Sequence, residues 1–594
     1  MHPAAFITLL FALLAAPGPR GEEQAPDVSG YRGWKISSLE LDGVDRDLAG
    51  TMRKGLGLSE KGATLYEQDL SRDESRIRLF LARRGYPYSV VTARFTPHKN
   101  KREVKLVLDV DPGPPVTVGS IDLRGLPRAL IDDGTPDLLP LKRGSILTDD
   151  ALETSRSLVL ERLRKAGHAR ADVKASAALI DSTNAAVTID AVPGAVYYFE
   201  RFSARGASDD LNGLALIVMR IDEGERYDPE SVEDARDNLS SLSLYRQIRL
   251  SLENSAPDSL LLSVDLQERT HRTIELAGGY WTDNGFSGRV MWRHRNLFRR
   301  GRGASVEASY SQYRRRGEIA AWWPALWGLR LTGTARVGYN DINEDSYEKS
   351  APGADISFSR HHTRRMASTI GYTIEQASYT IKTTEAASFE DPKGPVGFFH
   401  YRLVRDGTDD RIDPRRGTYS WVALEYGPPG GVSNSDYILT ECSGTLHVPL
   451  TRRITLATNL RLGAGKPLGP STMLLPDRRI YAGGANSHRG FKRRRLGPLD
   501  ENGLPLGGDI GMTGFVELRF PLVWKFDGAV FVDCGQVWRD RDAFTWDNIE
   551  TAVGPALRLM TPVGPIRFDF GFRLTDFVPD EPPFVFHFAI GYPM

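Results

Sequence analysis

From Thr273 onward the chain alternates with a period of two. In GLRLTGTARV, residues 328–337, Leu329, Leu331, Gly333, Ala335 and Val337 fall on one side of an extended strand. Arg330, Thr332, Thr334 and Arg336 fall on the other. RITLATNLRLG sets Ile454, Leu456, Thr458, Leu460 and Leu462 against Thr455, Ala457, Asn459 and Arg461. PIRFDFGFRL sets Ile566, Phe568, Phe570 and Phe572 against Arg567, Asp569, Gly571 and Arg573. A soluble sandwich shows this pattern too. Arginines and aspartates facing a large interior suit instead a water-filled lumen, with apolar residues meeting lipid. Sixteen strands are expected: 273–281, 287–295, 303–313, 317–323, 328–338, 353–361, 366–380, 397–405, 417–427, 436–449, 453–463, 509–520, 527–538, 550–560, 565–574 and 584–592. An even number lets both ends of a barrel lie on one side. The longest connection, 464–508, follows the eleventh strand, and the short links follow even ones. Trp292, Trp322, Trp323, Trp421 and Tyr426 are expected in interfacial girdles.

Residues 30–271 have another texture, a unit used three times with a period of roughly 80 residues, too long for a solenoid repeat. Each copy opens on a short strand ending near glycine: ISSLELDGV at 36–44, VGSIDLRGL at 118–126, FERFSARGA at 199–207. An amphipathic helix follows, marked by Leu70, Ile77 and Leu81, by Leu152, Val159, Leu163 and Ala166, and by Val232, Ala235, Leu239 and Leu242. Two strands close each copy. The expected modules, 30–113, 114–195 and 196–271, are β-α-α-β-β units whose sheet edge can accept an extended peptide. Segment 4–16, AAFITLLFALLAA, is too short to span a bilayer as a helix and suits the core of a signal peptide covering 1–25, with cleavage between 16 and 25. The net charge is zero, so nothing draws the chain in bulk to nucleic acid.

Two strings carry the functional expectation. AGGANSHRGF, 482–491, lies inside the long loop and offers one arginine, Arg489; FVDCGQVW, 531–538, is a strand offering Asp533 on the same face as Phe531 and Gly535. A loop arginine meets an inward strand aspartate if the strands close into a barrel and the loop folds into it. If well solvated, such a pair contributes about 0–1 kcal/mol. Cys442 and Cys534 fall on outward faces and are expected to stay unpaired. Arg493–Arg495 and Arg314–Arg316 read as solvated charge runs, with lipopolysaccharide phosphate as the alternative partner. No catalytic triad, zinc signature or dinucleotide fingerprint is present, GAGKPLG lacks P-loop spacing, and no cofactor or metal is expected.

In their order, DDRIDPRRGTY (409–419), AGGANSHRGF, GFVELRFP, FVDCGQVW, LMTPVGPIRFDFG and the closing FVFHFAIGYPM resemble the BamA/TamA superfamily of outer-membrane insertases. The resemblance covers nearly the whole mature chain, and three modules look more like TamA than BamA. It implies three POTRA-like modules in the periplasm and a transmembrane barrel, 272–594, in the bacterial outer membrane. It implies a non-enzymatic factor that helps unfolded β-barrel clients, including autotransporters, to insert, and a periplasm-spanning partner of the TamB type. Carried over by residue, Arg489 is the loop arginine, reaching Asp533 and Glu517; Phe491 packs beside them and Gly490 allows the tight turn. Phe584, Phe586, Phe588 and Ile590 form the outward face of the closing strand, and Gly591 weakens it, so that its seam with 273–281 opens sideways. The chain departs from the family in ending on Pro593–Met594 rather than an aromatic. The alternative reading is a two-partner-type transporter exporting one dedicated protein through its lumen; a passive pore or adhesin stands third.

Overall fold

A computed structural model describes residues 28–590 except 29, 60–61, 99–100, 385–391, 412, 431–432, 434, 470, 472, 524, 562–563 and 576–581. The expected signal peptide, Gly591 and Pro593–Met594 lie outside the described residues. The chain forms two compact units: one of residues up to 201 with 222–231 and 252–261, the other of 202–221, 232–251 and 262–594.

Three small modules precede a barrel. The first runs β1 (Lys35–Asp42), α1 (Arg46–Arg53), α2 (Glu67–Ala82), β2 (Val90–His98) and β3 (Glu103–Asp111), in sheet order β1-β3-β2. The central strand is parallel to β1 and antiparallel to β2. Leu70, Ile77 and Leu81 of α2 pack with Val104, Leu106 and Leu108 of β3. The second repeats the plan with β4 (Thr117–Arg124), α3 (Arg128–Asp132), α4 (Asp149–Lys165), β5 (Asp172–Leu179) and β6 (Asn184–Val192), order β4-β6-β5. The third has β7 (Tyr198–Arg205), α5 (Asp209–Met219), α6 (Pro229–Ser241), β8 (Tyr245–Ala256) and β9 (Ser259–Glu268), order β7-β9-β8. The recurring glycine after each first strand has one cause. Gly43, Gly125 and Gly206 are left-handed, at φ +82°, +71° and +94°, and a Cβ on each would lie 2.2, 2.1 and 2.3 Å from the carbonyl oxygen of Val110, Ala191 and Leu266. Only glycine satisfies both the backbone angle and the close approach.

Sixteen consecutive antiparallel strands then close on themselves. They are β10 (Arg272–Trp281), β11 (Gly285–Leu297), β12 (Arg302–Tyr310), β13 (Arg314–Trp323), β14 (Thr332–Asn343), β15 (Tyr347–Thr363), β16 (Met366–Ile381) and β17 (Lys393–Asp406). The second half comprises β18 (Gly417–Gly427), β19 (Tyr437–Pro449), β20 (Thr455–Pro467), β21 (Ile510–Pro521), β22 (Phe526–Trp538), β23 (Glu550–Thr561), β24 (Gly564–Arg573) and β25 (Phe584–Ile590). Val290, Val337, Ile356, Leu460, Val516 and Val530 are exposed on the outer face. The lumen holds charged pairs, such as Arg336 with Asp355 at 2.6 Å and Arg461 with Glu441 at 2.8 Å. No described helix is long and apolar enough to cross a membrane.

Three expectations need correction. The fifth strand begins at Thr332, not 328, because Ala325 and Trp327 turn left-handed (φ 50° and 56°) and spend 328–331 in a tight link. The sixth begins at Tyr347 and carries Pro352 within it, opposite Tyr339. Trp322 and Trp421 are not girdle residues: alternation places each on the face opposite exposed Ile319 and Val422. Trp421 lies in the lumen beneath Arg402 and Arg461, 4.8 and 5.7 Å from its ring centre. Both cysteines are free, and Cys534 is exposed.

Candidate functional site

The connection between β20 and β21, residues 468–509, folds into the lumen. Isolated bridges, Ile480 with Gly508 and Ala482 with Leu496, shape it as an irregular hairpin. Ala482, Phe491, Leu496 and Val537 give it a small apolar core against β22. The turn from Gly484 to Phe491 then presents Arg489 to the wall.

Arg489 meets that wall with its whole guanidinium. Nε and Nη2 donate to the two oxygens of Asp533 at 2.9 and 2.6 Å, and Nη1 donates to Glu517 Oε2 at 2.7 Å. The Arg489 backbone N–H adds a bond to Asp533 at 2.8 Å. The guanidinium carbon lies 3.3 Å from the ring centre of Phe531 and 5.5 Å from that of Phe515. Glu517 is shared with Arg519 and Arg558, at 2.7 and 2.6 Å. Asp569, an inward residue not expected to join the cluster, stands 3.8 Å from Arg489 and 2.6 Å from Arg567. The side chains of Arg489, Asp533 and Glu517 are only 6%, 1% and 1% exposed. The expectation of a solvated pair is therefore wrong: the loop's apolar core and the two phenylalanines exclude water. A buried pair of this kind is costly to break from one side.

The glycines act differently from expectation. Gly490 is not left-handed, so the turn does not require it. Space does: a Cβ there would lie 2.5 Å from the Ala552 Cβ. Gly571 on β24 is its counterpart, since a Cβ on it would lie 2.2 Å from the Arg489 carbonyl oxygen. Phe491, 2% exposed, packs against His488 at 5.2 Å, with the Arg573 guanidinium 4.7 Å above its ring. Gly535 sits two residues beyond Asp533, where a Cβ would lie 2.7 Å from Met512 O on β21.

A second tether, unnoticed in the sequence, holds the same loop to the strands β15–β18. The short turn Pro476–Arg478 delivers Asp477 to Lys349 Nζ at 2.7 Å and to the Tyr379 hydroxyl at 2.6 Å. Lys349 also reaches Glu375 at 2.5 Å, and Arg478 reaches Glu375 at 3.2 Å and Glu425 at 3.5 Å. Arg478 stacks 4.4 Å from the Phe398 ring centre. Arg493 and Arg494, expected to be solvated, instead pair with Glu344, and Arg494 stacks 4.3 Å from Tyr481.

The loop also touches both sides of the barrel's closing seam. There β10 faces β25 at Tyr280–Ile590 and Trp281–Ala589, whereas β24 and β25 pair from Phe572–Phe584 to Ile566–Ile590. Gly279 permits this approach, since a Cβ on it would lie 2.6 Å from the Ile590 carbonyl oxygen. On the first hairpin, Asp283 accepts a hydrogen bond from Ala485 N–H at 2.6 Å. On the last strand, His587 Nε2 donates to Arg489 O at 3.0 Å, and its Nδ1 lies 3.3 Å from Asp283. Arg567 of β24 closes the bridge by donating to Ala485 O at 2.7 Å. Phe584 and Phe586 of β25 are exposed on the outer face; Phe588 and Ile590 lie on the same side by alternation. No group of three metal-ligating side chains occurs among the described residues. The geometry is that of charged tethers holding one segment across a short seam.

The family model of the Omp85 superfamily domain matches residues 296–594, and that of POTRA, the surface antigen variable number repeat, matches 35–113. The chain is 25% identical to outer membrane protein assembly factor BamA of Nitratidesulfovibrio vulgaris, over 91% of this chain and 71% of that protein. It is 22% identical to BamA of Neisseria meningitidis, over 92% and 77%. In three dimensions it is similar to the crystal structure of Haemophilus ducreyi BamA lacking POTRA domains 1-3, with TM-score 0.56 and 16% identity over 79% of this chain and 98% of that one.

Proposed function

The chain belongs to the Omp85 superfamily, and from that premise we propose that it inserts β-barrel clients, autotransporters among them, by lending an incoming strand the edge of its own seam. Its barrel is an outer-membrane barrel and its three POTRA modules are periplasmic. Its general role is that of its BamA relatives, the assembly of outer-membrane β-barrel proteins. We read it as a non-enzymatic factor.

One observation carries the finer reading. Below Tyr280, nothing among the described residues pairs with the outer edge of β10, while β25 is held on its other side along its described length. A strand edge of that kind binds an extended chain through main-chain hydrogen bonds, with little demand on sequence. The loop supports the resting, closed state through Asp283 and His587. The three-module arm favours a periplasm-spanning partner of the TamB type.

The test pins the seam. Trp281 and Ala589 flank the hydrogen-bonded pair formed by Thr282 N–H and Phe588 O, so theirs is the closer, non-hydrogen-bonded pairing that suits a disulfide. Trp281→Cys with Ala589→Cys is made in a background where Cys442 and Cys534 are serine. Client assembly is expected to stop on oxidation and resume on reduction; assembly that continues while pinned refutes lateral opening. Depletion followed by outer-membrane proteomics tests the client class. Loss of several unrelated barrels supports the proposal, and loss of one exported protein alone transfers the reading to a dedicated transporter.

A further inference from the structure

The periplasmic end of the first three barrel strands carries charge that the insertion reading leaves unused. The outer faces of β10 and β11 are lipid-facing, with Ile274 and Leu276 exposed and Trp292 directly opposite Ile274. At the end nearest the third module this face changes character. Arg272 continues the row of Ile274 and Leu276, and lies opposite His294 in the register. Arg302, on the face of exposed Val306, lies opposite Leu297. The turn between them projects Phe298, which is 78% exposed, together with exposed Arg299 and Arg300.

This turn is strained. Phe298 and Arg299 are consecutive non-glycine residues in the left-handed region, at φ 57° and 61°. That conformation is unfavourable for L-residues and persists where the surroundings enforce it. Here Asn296 Oδ1 accepts the Gly301 N–H at 2.8 Å, and Gly301 sits so close to Leu214 of α5 that a Cβ would lie 2.4 Å from it. The fold thus leaves an aromatic ring and two cations exposed at this end of the barrel.

The charges also divide by face. Arg293 and Arg295, on the lumenal side of β11, lie 3.4 and 3.7 Å from Glu275. Among the described residues Arg272, Arg299 and Arg302 have no carboxylate within ion-pair distance, and Arg300 has only Asp210 at 4.0 Å. Four arginines on the outer rim therefore lack a close protein counter-charge, and what lies beside a lipid-facing wall at this height is the phosphate layer of the periplasmic leaflet.

We propose that Arg272, Arg299, Arg300 and Arg302 form a binding site for anionic phospholipid headgroups, with Phe298 seated at the boundary between headgroup and acyl chain. The guanidinium fork matches phosphate oxygens, and an aromatic ring beside it suits the interface. Arg272 lies on β10, the strand that borders the seam, and the other three lie on the next hairpin, so bound lipid sits beside the place where a client strand would arrive; this location, but not the binding itself, rests on the insertion reading.

The test uses the full chain in nanodiscs of phosphatidylcholine containing one-fifth phosphatidylglycerol. Spin-labelled phosphatidylglycerol and spin-labelled phosphatidylcholine report the lipid held at the protein surface. A cation near an anionic surface contributes about a fivefold preference each. We expect the wild type to hold phosphatidylglycerol at least about fivefold over phosphatidylcholine at low salt, and high salt to erode the preference. The variant R272Q/R299Q/R300Q/R302Q is expected to lose it, and R272K/R299K/R300K/R302K to keep most of it. Equal retention of both lipids by the wild type, or an unchanged preference in the glutamine variant, overturns the proposal. Barrel folding is checked by heat-modifiable migration in gels, and the lysine variant serves as the folded comparison if the glutamine variant proves unstable.

Discussion

Replacing Arg489 with alanine should loosen the lumenal loop without freeing it. The substitution removes three side-chain hydrogen bonds and leaves Asp533 with a single polar contact to the loop, the backbone N–H of residue 489. Breaking a buried ion pair from one side costs about 3–5 kcal/mol, roughly two to three and a half orders of magnitude in the docking equilibrium. The Asp477–Lys349 tether, equally shielded from water at 8% and 2% exposure, is untouched. It holds other strands, β15–β18, so the two contributions should add. The assay places a thiol between the tethers as Ala482→Cys, at a site 4% exposed, in a background lacking Cys442 and Cys534. Labelling by a membrane-impermeant maleimide then reports opening. Arg489→Ala and Asp477→Ala should each raise the rate by about a hundredfold or more, and the double variant by about the product. Arg489→Lys should fall between, because an ammonium cannot fork across Asp533 while reaching Glu517. If Arg489→Ala alone labels as fast as the double variant, the second tether holds nothing and the reasoning fails. A rise of less than about tenfold in Arg489→Ala would equally refute the first tether.

Further outcomes can be measured on the same protein. Gly571→Ala and Gly490→Ala, whose new methyls would lie 2.2 Å from Arg489 O and 2.5 Å from Ala552, should each raise Ala482→Cys labelling by about tenfold, since overpacking typically costs about 1–3 kcal/mol; unchanged labelling counts against close packing of loop on wall. His587→Phe keeps the ring volume but loses its bonds to Arg489 O and Asp283, and should speed amide hydrogen exchange in β25 by about tenfold. Exchange at the wild-type rate would show that the loop does not help close the seam. Gly279→Ala drives a methyl to within 2.6 Å of Ile590 O and should slow oxidative cross-linking of Trp281→Cys with Ala589→Cys several-fold; an equal rate would mean the strands have room that the structure denies them.

The barrel was readable because each strand is half in lipid and half in water, so its alternation survives in the sequence. That same parity put Asp533 and Glu517 on the lumenal side, where Arg489 meets them. What could not be read was which loop residue meets which part of the wall. Asp477 and Arg478 look like ordinary turn residues, and their partners Lys349, Glu375 and Glu425 lie far earlier in the chain with nothing local to link them. Asp283 precedes Asn284–Gly285 and reads as a plain turn former; its bond to Ala485 exists only once the barrel has closed. Trp322 and Trp421 were misplaced by residue type where parity alone would have turned them inward. A loop glycine such as Gly490 reads as a torsional device, whereas its crowding by Ala552 exists only once the loop is docked.

Because Ala485 and Arg489 bond to the first hairpin and the last strand while belonging to the segment that crosses the channel, the proposed opening of the seam would make permeability and readiness to insert one variable. On the proposed reading, the bonds that hold this segment across the channel are the same bonds that keep the flank shut. Single-channel conductance should therefore register a weakened fastening before any defect in cargo delivery becomes visible.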